Sequence, residues 1–253
     1  MPKKEKKIVQ VSDDSKDTDD YTLDENRRIV KVEERKDPKG DAKKYRIGAI
    51  VCWILAIVME VIAILRLTGK IDLFASMSIM AFLILFIVLD LVFFIPGSLL
   101  WKKANHIDPM SEKDKTKFWI WNNLGTILSV LAFLPIIIFV FTNKDLDGKQ
   151  KGIVGAVAIV ALLAAGITSY DFNPVSAEQL ARAEKEVEAV GTKDEDGKYK
   201  VYWAEHSKKY HVDPDCPAFS RSEKVYKGTV AQAYERNLTD PCRRCIPELE
   251  DDK

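Results

Sequence analysis

The chain has 253 residues, of which 47% are hydrophobic and 30% charged, and its formal net charge is zero. These averages would suit a soluble globular protein, but the apolar residues are concentrated between positions 47 and 170 and the charged residues crowd the two ends. The composition therefore excludes an ordinary soluble domain in the middle of the chain, and the balanced charge describes no single domain.

The N-terminal segment, residues 1–44, mixes lysines with an acidic run and has few large apolar residues. Such a segment buries too little surface to offset the entropy of ordering it, so we predict a disordered charged tail. The segment also lacks the short basic region and small-residue cleavage site of a signal peptide. The apolar run that follows it is therefore predicted to be an anchor that stays in the membrane.

Four apolar runs follow, and each reaches or nearly reaches the roughly 20 residues that a helix needs to cross about 30 Å of hydrocarbon. Tryptophans and a tyrosine lie mostly near the ends of these runs, as interfacial aromatic residues do. We predict an α-helical integral membrane protein whose transmembrane domain, residues 45–171, contains helices at about 47–67, 71–95, 118–141 and 152–170.

The lysines and arginines that flank the predicted spans indicate an orientation. Ten lie on the side of the two termini and five on the opposite side. Because short cytoplasmic segments carry the excess of basic residues, we predict a multi-pass protein of the cell membrane with both termini in the cytoplasm.

Two acidic residues, Glu60 and Asp90, interrupt the predicted spans. Counting along the predicted helices places Glu60 in the outer half of the bilayer and Asp90 near the inner interface, too far apart to share an ion or a proton. A carboxylate inside a membrane is a candidate functional group because burying its charge is costly. Two interpretations of Glu60 stay open: a hydrogen-bonded acid that helps the helices pack, or the functional acid of a small transporter or channel.

Residues 174–191 are predicted to form an amphipathic connector helix. Ser176 and Gln179 have the spacing of a capping box, and Gly191 is a helix stop. Its apolar residues fall on one face at positions Leu180, Ala183, Val187 and Val190. This face could pack on a neighbouring surface, or it could bind a second copy of the chain in a homo-oligomer.

The C-terminal segment, residues 199–246, is predicted to be a small α+β module. Two alternating, aromatic-rich runs at 199–204 and 208–212 are joined by a short turn and predict a β-hairpin. Thr229 is a helix N-cap, and Pro241 ends the helix just before a cysteine. The predicted order is strand, strand, helix and a cysteine-containing turn.

Four side chains of this module predict a structural zinc site: His211, Cys216, Cys242 and Cys245. Three thiolates and one imidazole match a closed tetrahedral zinc site, which leaves no open position for catalysis. Such a metal would stabilise a module too small for a large core. His206, in the predicted turn, is the rival histidine. Three cysteines cannot all pair as disulfides within the module, which favours metal binding and a reducing compartment.

The run from Val201 through His211-x4-Cys216 and Gly228-Thr229 to Pro241-Cys242-Arg243-Arg244-Cys245 resembles small zinc-binding modules related to the Ada metal-binding domain. In bacteria such modules often lie at the C-terminal end of unrelated proteins, including membrane-linked ones. The Ada protein uses four cysteines, whereas His211 stands in one of the four places here. The resemblance therefore implies metal binding, and it covers about a fifth of the chain.

These features favour a membrane-anchored adaptor that presents the zinc module to a cytosolic protein. The first alternative is a transporter or channel with Glu60 as its acid and the module as regulator. A second is a nucleic-acid tether that uses Tyr202, Trp203 and Tyr210 for stacking, although the eight basic residues between positions 201 and 246 only slightly outnumber the six acidic ones. An enzyme is the least supported class, since the sequence has no recognisable catalytic set.

Overall fold

The computed structural model describes residues 38–194, 197–219 and 224–247, together with three short N-terminal strands, Lys7–Gln10 (β1), Thr22–Leu23 (β2) and Ile29–Val30 (β3). The chain divides into two compact units. One contains Asp41–Asn105 and Lys113–Pro174, and the other contains Met1–Gly40, His106–Glu112 and Val175–Lys253.

The first unit is helical, with α1 (Pro38–Leu67), α2 (Ile79–Ile107), α3 (Lys115–Asn122), α4 (Leu124–Thr142) and α5 (Gly148–Ser169). Helices α1, α2, α4 and α5 are long and apolar enough to cross a membrane, with mean hydropathy between 2.2 and 2.9. The structure thus confirms four helices of membrane-spanning length and composition among the described residues. The short helix α3 meets α4 at Asn123, whose side-chain amide donates to the carbonyl of Trp119.

Several helix boundaries differ from the predicted ones, and the run predicted as one helix at 118–141 is divided between α3 and α4. Helix α1 begins at Pro38, inside the segment assigned to the tail; the prediction of disorder for the rest of that segment falls mainly outside the described residues. Helix α2 begins at Ile79, because Gly69 and Phe74 adopt left-handed backbone angles in the preceding turn. It then continues through Pro96 to Ile107, as a membrane helix can when neighbouring groups satisfy the backbone that proline frees.

Small residues allow the membrane helices to pack closely. A Cβ on Gly97 of α2 would lie 2.9 Å from Cδ1 of Trp53 in α1, so only glycine fits this contact without a shift. The indole of Trp53 donates to the hydroxyl of Ser98 at 3.3 Å, and Ser169 of α5 donates to the same hydroxyl at 2.8 Å. Close approach and hydrogen bonds replace the hydrophobic effect as the source of helix association in lipid.

The second unit includes α6 (Ala177–Val190), which lies within the predicted connector. The predicted capping box is present, with Ser176 and Gln179 exchanging hydrogen bonds. Its buried residues Ala183 and Val187 pack into the core of the C-terminal module with Trp203. The apolar face of α6, which the sequence analysis considered for self-association, therefore packs within the unit.

The C-terminal module contains β4 (Val201–Ala204), β5 (Lys209–Tyr210), β6 (Lys224–Gly228), α7 (Val230–Glu235) and β7 (Asp240–Pro241). Strand β6 pairs antiparallel with β4 and parallel with β1, and β5 pairs parallel with β7. The predicted hairpin is present only as a single bridge between Tyr202 and His211, on the edge of β4 opposite to β6. The sequence analysis did not predict β6.

We predict that Gly97→Ala lowers the stability of the solubilised protein by about 1–3 kcal/mol, because the added methyl overpacks the contact with Trp53. Gly152→Ala is the matched control: a Cβ there meets nothing within 4 Å, so only the gain in helix propensity remains. Thermal unfolding followed by size-exclusion chromatography measures both. Equal unfolding midpoints for the two variants would contradict the packing described here.

Candidate metal centre

The structure brings together the four side chains that the sequence predicted as metal ligands. One ligand atom from each of His211, Cys216, Cys242 and Cys245 lies within 4.8 Å of the others. The first three are buried and Cys245 is half-buried. Nδ1 of His211 lies 3.6 Å from the sulfur of Cys245. These four atoms could hold one metal ion; their role as ligands stays a prediction.

Short runs of backbone hydrogen bonds bring His211 and Cys242 side by side. The amide of His211 donates to the carbonyl of Tyr202 at 2.8 Å, which fixes the histidine at the edge of β4. The amide of Cys242 donates to the carbonyl of Tyr210 at 2.8 Å, so the pairing of β5 with β7 brings Cys242 beside the histidine. The ligands from the two ends of the module meet because these strands pair.

Local turns position the thiols of the other two cysteines, Cys216 and Cys245. The amide of Cys216 donates to the carbonyl of Asp213, after a turn in which the Asp213 carboxylate accepts from the amide of Asp215 at 2.8 Å. The amides of Cys245 and Ile246 both donate to the carbonyl of Cys242, at 3.0 and 2.8 Å. This second turn folds the Cys-x2-Cys segment so that both sulfurs face the same point.

The pKa values of the cluster differ from one side chain to the next. Burial lowers the pKa of His211, which keeps the imidazole neutral and able to ligate at neutral pH. Burial alone would raise the pKa of Cys242, but hydrogen bonds from the amides of Arg244 and Cys245 lower it overall. Burial and the neighbouring Cys216 and Cys242 raise the pKa of Cys245 to about 12. Cys245 is therefore protonated while the cluster holds no cation, and a metal ion bound there would have to displace that proton and supply the positive charge that keeps three thiolates together.

A salt bridge connects the cysteine-containing turn to the connector helix. Arg243, between the two cysteines of the turn, donates to the carboxylate of Glu186 at 3.0 Å, and Arg182 lies 3.5 Å from the same carboxylate. Glu186 is only 4% exposed. The turn is therefore held against α6 by a largely buried acid that the sequence analysis did not single out.

The other residues considered from sequence lie elsewhere. His206 is exposed in the turn after β4 and is not part of the cluster, and Cys52 lies in α1. Trp203 and Tyr210 are fully buried in the module's core, which removes them as stacking surfaces for bases. Glu60 and Asp90 are both buried in the membrane unit. No protein-family model, curated protein or solved structure matched the chain when it was compared with them.

We predict that the purified protein contains one metal ion per chain and that His211→Ala or Cys242→Ser removes it, because each takes away one of four ligands. Elemental analysis of the protein measures the ratio of metal ions to protein chains. His206→Ala and Cys52→Ser are the matched controls, each removing the same residue type outside the cluster, and they should leave the ratio unchanged. Acid should displace the metal, since protons compete for the thiolates and the imidazole. Metal-free wild-type protein would contradict the assignment.

Proposed function

We propose that this chain is a membrane-anchored adaptor whose C-terminal module holds a structural zinc ion and presents a rigid surface to a protein partner in the cytoplasm. The observation that carries the proposal is the buried cluster of one histidine and three cysteines in a module attached to four apolar helices. Four protein ligands leave no position for water or substrate, which favours a structural over a catalytic ion.

Zinc fits the donor set and its spacing. In a tetrahedral site with Zn–S of about 2.3 Å and Zn–N of about 2.0–2.1 Å, the sulfur and nitrogen atoms are roughly 3.6 Å apart. The separation of Cys245 Sγ and His211 Nδ1 is 3.6 Å. Thiolates and imidazole are also the ligands that zinc takes in closed sites. The resemblance to Ada-type modules supports the same metal.

The charge and burial of the module favour a protein partner over nucleic acid. Trp203 is 1% exposed and therefore cannot stack on a base. Several basic side chains are engaged within the unit: Lys227 pairs with Asp194 at 2.6 Å, and the guanidinium of Arg236 lies over the ring of Tyr226. A surface with this mixed charge lacks the strongly basic footprint that phosphate binding requires.

The cytoplasmic orientation rests on two independent features of the sequence. Basic residues are more frequent on the side of the termini, ten against five. A cluster of three reduced cysteines is also suited to a reducing compartment. Both features support a module on the cytoplasmic side of the membrane.

We predict that a protein partner co-purifies with the wild-type protein and is lost with Cys242→Ser, because the surface of the module depends on the metal. The measurement is quantitative mass spectrometry of complexes isolated in mild detergent. Cys52→Ser is the control, since this cysteine lies in α1 and outside the cluster. Partners retained equally by both variants would bind elsewhere, and their retention would contradict the adaptor proposal.

A second prediction concerns the orientation. In the Cys52→Ser background, His206→Cys places an exposed thiol on the module and Lys149→Cys places one in the α4–α5 loop region. A membrane-impermeant maleimide should label the Lys149→Cys protein in intact cells, and the His206→Cys protein only after permeabilisation. The reverse pattern would place the module outside the cytoplasm.

A further inference from the structure

The two acidic residues within the membrane helices face each other across the α1–α2 interface. A Cβ placed on Gly97 would meet Cys52 and Trp53, and a Cβ placed on Gly48 would lie 3.3 Å from Cδ1 of Leu100, so the two helices run antiparallel in a fixed register. Glu60 lies two turns beyond Trp53, and Asp90 two turns before Gly97. The register therefore places both acids at the same level of the interface, near the middle of α2.

This placement corrects the depths predicted from sequence. That prediction began the second span near residue 71, whereas α2 begins at Ile79 and ends at Ile107. The later start moves Asp90 from the predicted inner interface towards the middle of the helix. Asp90 acts electrostatically on Glu60, as expected for two carboxyl groups in neighbouring positions.

Both carboxyl groups are buried without hydrogen-bond partners for one oxygen each. Glu60 is 7% exposed and Asp90 is 2% exposed. Glu60 Oε1 and Asp90 Oδ1 have no partner among the described residues, whereas the nearby Ser98 and Ser169 hydroxyls bond each other at 2.8 Å. Two buried oxygens at one level of the interface, each without a donor, indicate a missing ligand that carries hydrogen or positive charge.

The charged groups of the surrounding helices do not neutralise the pair. In α1 the nearest basic residue, Arg66, bonds Asp72 at the end of the helix. In α2 the basic residues Lys102 and Lys103 lie more than three turns away from Asp90. Helix α4 has no charged residue, and the only charged residues of α5, Lys149 and Lys151, lie in its first turn.

We propose that Glu60 and Asp90 form a proton-binding carboxyl pair inside the membrane, with at least one proton held between the two side chains at neutral pH. Two carboxylates at one level of a low-dielectric interface cannot both stay ionised, because each destabilises the charge of the other. The bound proton supplies the donor that the two oxygens lack. This site is independent of the adaptor function proposed for the module.

Labelling with dicyclohexylcarbodiimide, an apolar reagent that modifies protonated carboxyl groups, tests the proposal. The full-length protein in lipid nanodiscs is treated across a range of pH values, and the modified residues are identified by peptide mass spectrometry. We expect labelling of Glu60 or Asp90 at neutral pH. In Asp90→Asn the labelling of Glu60 should be lost at a pH lower by roughly one to three units, because the neighbouring charge is removed.

Asp145→Asn, which removes an exposed acid in the loop after α4, is the matched control and should leave the labelling profile unchanged. If Asp90→Asn does not fold, the converse variant Glu60→Gln gives the same comparison for the labelling of Asp90. Three results would overturn the proposal: no labelling at neutral pH in folded wild-type protein, identical profiles in wild type and both variants, or suppression of labelling by sodium at constant pH. The last would identify a metal cation as the ligand.

Discussion

The meeting of His211, Cys216, Cys242 and Cys245 is the constraint on which the C-terminal module depends. Strands β5 and β7 have two residues each and α7 has six, so the backbone hydrogen bonds of these elements contribute little. The cluster lies where these short elements come together, between the end of β5 and the residues after β7. A metal ion held there would connect these short elements beside the buried core that they share.

The membrane unit is stabilised in a different way. Its helices approach closely where glycine meets an aromatic ring, as at Gly97 against Trp53 and Gly155 against Phe141. Buried hydroxyls then bond across the helices, as Ser98 and Ser169 do. The module concentrates its stabilising contacts at one point, whereas the bundle distributes them along four helices. The two units can therefore differ in how they respond to chelators, acid and detergent.

The features that sequence could predict were local ones. The length of an apolar run predicts a membrane-spanning helix, and the pairing of Ser176 with Gln179 predicts a cap, because neither depends on distant residues. Cysteine spacing likewise predicted which side chains would meet. The sequence analysis did not predict strand β6 or the position of Glu60 and Asp90 at one level of the α1–α2 interface. Both features depend on pairing between segments that are distant in the sequence. Helix α2 begins later than predicted, after a turn in which Phe74 adopts a left-handed backbone angle. The spacing of apolar residues along the sequence does not reveal such a turn.

The second unit includes a loop that lies far from the rest of it in the sequence. The loop between α2 and α3 belongs to that unit: the amide of Ala177 donates to the carbonyl of Met110 at 3.1 Å, and Glu178 accepts from Ser111 and from the amide of Glu112. This unit is therefore discontinuous in sequence, since residues 106–112 and 175–253 both belong to it. A fragment that begins at Val175 would lack the acceptor of the Ala177 amide and both donors to the Glu178 carboxylate.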